Sequence, residues 1–328
     1  MKQRQLGKNG PIVSAIGYGA MQFAVGRGAS LNTSDGIRIL HEAFDQGITF
    51  FDTAQVYGPF TNECLLGEAF SKMRDRVTIA TKFGYEFIDG KRGPINSRPE
   101  NIRRTVEDSL RRLKTDYIDL LYQHRVDPNV PMQEVAQTIK ALHEEGKVRW
   151  FGMSEAGIQA MKDASTEFPV TALQSEYSLW WREPEENLLP FLEQEGIGFV
   201  PFAPLGRGFL TGCMKSGVQF LDNDIRQGIP RFSIENQNKN WPLVEQILEF
   251  ATQHEITAAQ VALAWLIHRK PFIVPIPSTT NSTRLTENIA AAEIVLTPED
   301  IAKLDEITRD FIVSGDRYNE KNMKLINR

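Results

Sequence analysis

Several things are scarce in this 328-residue chain, and each scarcity closes a route. Two cysteines, Cys64 and Cys213, cannot build a disulfide framework. Together with His41, His124, His143, His254 and His268, which show no ligand spacing, they leave little for a metal cluster, and no metal site is expected. No apolar run reaches the roughly 18 residues that a membrane-spanning helix needs. The opening Met1-Lys2-Gln3-Arg4-Gln5-Leu6-Gly7-Lys8 lacks the apolar stretch of a signal peptide. Basic and acidic residues, 37 against 42, nearly cancel, and no basic block suggests nucleic acid. No G-x-G-x-x-G follows a strand, so a dinucleotide would have to be held some other way. These absences favour a cytoplasmic protein with reduced thiols that binds neither membrane nor nucleic acid. A monomer or simple homo-oligomer is expected, and the sequence leaves the choice between them open.

What is present is a repeating alternation. With 41% hydrophobic residues the chain can bury a large core. Short apolar runs recur at Val13 to Gly19, Thr49 to Ala54, Val77 to Phe83, Ile118 to His124, Val148 to Ser154, Ala172 to Ser178, Gly198 to Pro204 and Phe272 to Ser278. They read as eight buried strands. Amphipathic segments between them carry helix starts at Ser34 and around Ser97-Arg98-Pro99, and a capping box at Thr257 and Gln260. Several end in Gly, at Gly47, Gly146 and Gly196. Eight near-continuously apolar strands, each followed by a helix, predict one α/β domain over 1–328, a (β/α)8 TIM barrel. A hairpin around Lys8-Asn9-Gly10 is expected to cap its bottom. Long loops are expected at Gly84 to Ser97, after strand three, and at Gly206 to Trp241, after strand seven.

Active sites of such barrels lie at the C-terminal strand ends. Strand two ends in Asp52, with Tyr57 five residues on; strand three runs into Lys82 and strand four into His124. Any one of these groups has a bland structural use, as an ion pair, packing or a satisfied core histidine. Together they make chemical sense. A free phenol titrates near 10, too high for efficient proton transfer at neutral pH. A neighbouring Lys82 ammonium, held by Asp52, is expected to lower it, while a neutral His124 orients a carbonyl.

These residues are similar to those of the aldo-keto reductases, in the strings Asp52-Thr53-Ala54-Gln55-Val56-Tyr57-Gly58 and Leu121-Tyr122-Gln123-His124. The segments Arg4 to Gly10 and Pro204 to Gly212 resemble the microbial and plant monomer-like branch. The resemblance implies a (β/α)8 barrel, NADPH as cofactor, and Asp52, Tyr57, Lys82 and His124 as the catalytic tetrad. It also implies reduction of an aldehyde or ketone to an alcohol, by hydride transfer from the nicotinamide C4 with Tyr57 as general acid. Ser278, Thr279, Thr280 and Arg284 match positions that bind the adenosine 2′-phosphate, and Glu287 and Asn288 the pair that holds adenine. Their composition alone suits a phosphate equally with a Ser/Thr-rich helix cap. Ser154 and Gln174 match contacts to the nicotinamide carboxamide, Phe202 the stacking aromatic, and Leu205, Gly206 and Arg207 the loop over the pyrophosphate. Two positions depart from the pattern: Glu155, where many members carry Asn, and Ser278, where some carry Lys.

For the substrate, Ala20, Met21, Phe23, Phe60, Trp180 and Trp181 predict an apolar-walled pocket. Arg125 and Arg231 could attract an anionic substrate but read as surface charges. The resemblance also extends to channel-associated β-subunits, so a nucleotide-binding regulatory subunit with little turnover stays open beside the reductase.

Overall fold

The computed structural model describes residues 1–24, 32–214 and 216–327. At the start, β1 (Gln3–Gln5) and β2 (Ile12–Ser14) pair antiparallel across the expected turn. Leu6 and Val13 from this hairpin plug the interior beside Phe50, Ala80, Leu120, Ala172 and Val200. The barrel then begins with β3 (Tyr18–Gly19), α1 (Thr33–Asp45), β4 (Phe50–Asp52), α2 (Thr61–Phe70) and β5 (Thr78–Phe83). An inserted hairpin, β6 (Tyr85–Ile88) with β7 (Lys91–Ile95), precedes α3 (Pro99–Leu113). Regular alternation resumes with β8 (Ile118–Gln123), α4 (Met132–Glu144), β9 (Val148–Ser154), α5 (Ile158–Ser165), β10 (Val170–Glu176), α6 (Leu188–Glu195) and β11 (Gly198–Phe202). Five further α-helices follow: α7 (Ile234–Gln253), α8 (Ala258–Arg269), α9 (Ser282–Ala290), α10 (Pro298–Arg309) and the short α11 (Glu320–Met323).

Seven parallel strands run in the order β3, β4, β5, β8, β9, β10, β11. All of β8 and β10 is buried, as expected where helices cover the outside and side chains fill the inside. Outside, Phe51 meets Phe70 of α2 at 4.5 Å between ring centres. Truncating either ring to Ala would cost about 3–5 kcal/mol.

The expected eighth strand is an extended segment rather than a regular strand, and its prolines explain why. Val274 and Ile276 donate their N–H groups to Phe199 and Pro201 of β11. On the other side, the Pro275 and Pro277 carbonyls accept from Gly17 and Gly19. Proline has no N–H to return, so the segment closes the barrel by accepting only on that edge. The (β/α)8 architecture therefore stands.

Boundaries differ in informative ways. The cap of α1 lies two residues before Ser34, at Asn32, which accepts from the Asp35 N–H at 2.8 Å. The start near Ser97 falls on Arg98, with Pro99 in the first turn. The capping box of Thr257 and Gln260 is present at α8. The insertion expected as a loop at Gly84 to Ser97 is largely the hairpin β6–β7. The loop expected to run to Trp241 ends at Ser233, where α7 begins despite its asparagines and Pro242. Leu243, Val244 and Ile247 anchor that helix in the core. Asn240 joins it to the C-terminal segment by pairing with the Ser314 backbone.

Candidate active site

Four parallel strands deliver the central residues to one end of the barrel. Asp52 is the last residue of β4, Lys82 lies in β5, His124 follows β8, and Gln174 lies in β10. Lys82 is buried and spends its three N–H donors on Asp52 Oδ1 at 2.5 Å, the Thr53 carbonyl oxygen at 2.8 Å and Tyr57 Oη at 3.4 Å. Gln174 Nε2 donates to the other Asp52 oxygen at 2.7 Å. The Tyr57 and His124 rings meet edge to face at 6.1 Å.

Burial sets the direction of most titrations here. It pulls the Lys82 ammonium down, but the charges of Asp52 and Tyr57 outweigh it and keep Lys82 charged. Burial pushes the Asp52 carboxyl up, against the opposing pull of Lys82 and Gln174. It also lifts the Tyr57 phenol, and Lys82 only partly offsets this. The expectation that Lys82 would lower the phenol is thus corrected: the lysine acts in that direction, but desolvation wins. His124 is held well below its ordinary value by burial and then by Arg125, Lys82 and Arg92, so its imidazole is neutral at pH 7.

A cavity of about 910 Å³ opens above this floor. Asp52, Tyr57 and His124 line it, with Phe23, Tyr85, Phe202 and Tyr318 as aromatic wall. The groove continues past Ser154, Gln174, Leu205 and Arg207 to Ser278, Thr279, Thr280, Arg284, Glu287 and Asn288. At that end Asn281 caps α9 by accepting from the Arg284 N–H at 3.0 Å, and the Ser278 hydroxyl is buried without a partner. A helix start, an arginine and an unspent hydroxyl suit a phosphate group. The volume of the groove and its run of lining residues fit a dinucleotide.

The profile of the aldo/keto reductase family matches residues 15–309. This chain belongs to the aldo-keto reductase family. It is 42% identical over 319 residues to the probable aldo-keto reductase 1 of Glycine max, covering 96% of this chain and 91% of that protein. Among solved structures it resembles a glycerol dehydrogenase from Gluconobacter oxydans, with TM-score 0.87, 26% identity, and 96% and 97% of the two chains covered. An aldo/keto reductase from Klebsiella pneumoniae, solved in complex with NADP and acetate, matches with TM-score 0.75 and 27% identity over 97% and 99% of the chains.

Several expectations made for an aldo-keto reductase need correcting. Gly206 lies behind the cavity wall, buried at φ +57°, where an added Cβ would meet the Trp180 ring at 2.8 Å. Its role is to let the chain turn closely past that ring. Trp180 and Trp181 do not line the cavity among the described residues. They pack under Arg231, whose guanidinium sits 4.8 Å and 5.2 Å from their rings. Phe60 packs on Phe87 of the inserted hairpin at 4.5 Å, and Ala20 is buried off the wall. Arg231 is no surface charge: it is buried against Glu176 at 2.9 Å. Glu155 is buried in a left-handed conformation, accepts from the Ser175 hydroxyl and pairs with Arg317 at 2.5 Å.

The C-terminal segment is the part of the site that sequence reading missed. Tyr318, Asn319, Asn322 and Leu325 all line the cavity. Backbone bonds from Arg231 to Asp316 and from Asn327 to Glu155 hold the segment down. An aromatic beside two asparagines near the end of the chain, Tyr318-Asn319 with Asn322, was the available signal.

Proposed function

We propose that this protein reduces an aldehyde or ketone to the alcohol using NADPH, with Tyr57 as the proton donor and residues 1–328 acting as one domain. The observation that carries this reading is the saturation of Lys82 between Asp52, the Thr53 carbonyl and Tyr57. As an aldo-keto reductase the protein is an NADP-dependent oxidoreductase. When bound, the cofactor would supply the hydride for reduction of the carbonyl.

The side chains then have separate jobs. Tyr57 keeps its proton at neutral pH because burial raises it, so an O–H is available as charge builds on the carbonyl oxygen. Lys82, held charged, stabilises the phenolate left behind and so lowers the barrier to that transfer. Asp52 holds the ammonium in place. Neutral His124 donates a hydrogen bond to the same carbonyl oxygen, which fixes its angle toward Tyr57. Arg284 with Ser278, Thr279 and Thr280 would hold the 2′-phosphate, Glu287 and Asn288 the adenine, and Arg207 with Leu205 the pyrophosphate. Phe202 would stack on the nicotinamide, with Ser154 and Gln174 at its carboxamide.

The test is Tyr57→Phe, which removes one oxygen. The expected result is a fall of about 10²–10⁴-fold in kcat with NADPH affinity nearly unchanged. Wild-type turnover on a panel of aldehydes, followed at the NADPH absorbance, is the matching positive result. Full activity in Tyr57→Phe would remove the tyrosine from its assigned role.

A further inference from the structure

The charged side chains on the cavity wall divide by whether they have partners. Asp52 faces Lys82, Asp224 faces Arg226 at 2.6 Å, and Glu287 accepts from the Thr257 hydroxyl at 2.5 Å. Arg284 and Arg207 stand on the elements assigned to the dinucleotide phosphates. Arg125 belongs to neither group. It follows His124 directly, is half-buried and lines the cavity. Among the described residues it forms no ion pair. Its Nη1 donates to the His124 carbonyl oxygen at 2.6 Å and to Ser154 Oγ at 3.3 Å. Its Nε and Nη2 make no hydrogen bond among the described residues and are not sealed from the cavity. Three N–H donors of a guanidinium thus stand unspent beside the reacting end.

A second cation reinforces the field. Arg92 of β7 lines the same cavity, with its guanidinium 5.2 Å from the Tyr85 ring centre. Tyr85 in turn meets the His124 ring edge-on at 5.4 Å. The inserted hairpin therefore brings a positive charge toward the site, and Arg92 forms no ion pair among the described residues.

We propose that Arg125, supported by Arg92, binds an oxoanion on the substrate, so that the preferred carbonyl compounds carry a carboxylate or a phosphate. This deepens the reductase reading and rests on it. The planar fork of a guanidinium matches either oxoanion in two parallel hydrogen bonds. The same residue selects against neutral substrates. A neutral aldehyde that displaced water from the cavity would leave the Arg125 charge desolvated and unpaired, which is costly.

The experiment compares matched substrates with NADPH: butanal with 4-oxobutanoate, pentanal with 5-oxopentanoate, and glycolaldehyde with glycolaldehyde phosphate. In the wild type, kcat/KM for the anionic member is expected to exceed its neutral partner by roughly 10- to 100-fold in at least one pair, chiefly through KM. Whether the carboxylate or the phosphate pairs show it identifies the oxoanion. Arg125→Gln should bring that ratio toward one, whereas Arg125→Lys, which keeps the charge but loses the fork, should retain part of it. No preference in any pair would overturn the proposal. So would a Gln variant that slows both members equally, or that weakens NADPH instead. Absence of turnover with every substrate would count against the reductase reading alone, and binding then decides the role of Arg125. Titration of butanoate and of inorganic phosphate, followed by tryptophan fluorescence against a chloride control, should saturate and weaken at least about tenfold in Arg125→Gln. No saturable binding, or binding indifferent to the substitution, would overturn it.

Discussion

Beneath the C-terminal segment, Glu155 and Glu176 face Arg231 and Arg317; on the cavity floor, Asp52 faces Lys82, while Arg125 feels the Glu155 charge but forms no ion pair among the described residues. Both groups are carried by C-terminal strand ends and the segments that follow them, and both hold charge away from bulk water. The first has two carboxylates against two guanidiniums, with Trp180 and Trp181 packed on the cations. Its charges cancel locally, and its side chains tie β10, the segment before α7 and the C-terminal segment together. The second leaves Tyr57, His124 and Arg125 lining the open cavity. Balance and closure mark a group that holds the structure. Imbalance and access mark a group that can act on something arriving.

The strongest way to break this contrast is Lys82→Met. It leaves Asp52 buried with only Gln174 as donor and deprives Tyr57 of its cation. The expected outcome is about 3–5 kcal/mol lost in urea unfolding, together with a fall in kcat of about 10²–10⁴-fold. A stable variant with ordinary turnover would mean that the floor, too, is only structural.

Arg317→Met makes the complementary cut. Glu155 and Glu176 would lose their shared partner, but the C-terminal segment can lift away and let water reach them. A smaller loss of about 1–3 kcal/mol is therefore expected, with faster proteolysis after residue 310 and higher KM values. Because no group of this cluster lines the cavity among the described residues, kcat should fall far less than in Lys82→Met. Adding Glu155→Gln should recover part of the stability, since it removes the stranded charge. A kcat loss as deep as that of Lys82→Met would erase the distinction between the two clusters.

What could be read from the sequence follows the same divide. The convergence of Asp52, Lys82 and His124 was legible because each ends an apolar run, and strand ends converge in a barrel whatever else surrounds them. The barrel was legible through its alternation, and even the imperfect eighth segment, Phe272 to Ser278, stood out as apolar. The balanced cluster was not legible. Glu155, Glu176, Arg231 and Arg317 are spread over more than 160 positions of sequence, and nothing local to any of them announces the others. Arg231 and Arg125 both looked like surface charges. Only the fold shows Arg231 paired with Glu176 over the two tryptophans and Arg125 lining the cavity. The Tyr57 titration failed in a related way: the Lys82 neighbour was visible in the motif, whereas the extent of burial around the phenol was not.

The smallest expected effect concerns two histidines and the sign of their pH dependence. Burial and the cations Arg125, Lys82 and Arg92 hold His124 well below the ordinary histidine value. Between that value and about 6.5 the unfolded chain binds the proton more readily than the folded one, so stability rises with pH and levels off above about 6.5. His254, on the outer helices, is raised by the Phe250 carbonyl and then by Asp300, so its contribution is present at acid pH and fades as pH climbs through its folded value. The two therefore oppose each other. Urea unfolding at pH 5 and pH 8 should show His124→Gln losing less stability on acidification than the wild type, and His254→Gln losing more, within about 1.4 kcal/mol per pH unit for each proton. Arg125→Gln sharpens the point. Removing that cation should let His124 protonate more easily in the folded state and flatten the acid-side slope, whereas Arg231→Gln, whose charge is spent on Glu176, should leave the histidine contribution where it was. A steeper slope in Arg125→Gln would show that the positive charge on the cavity floor is not in excess.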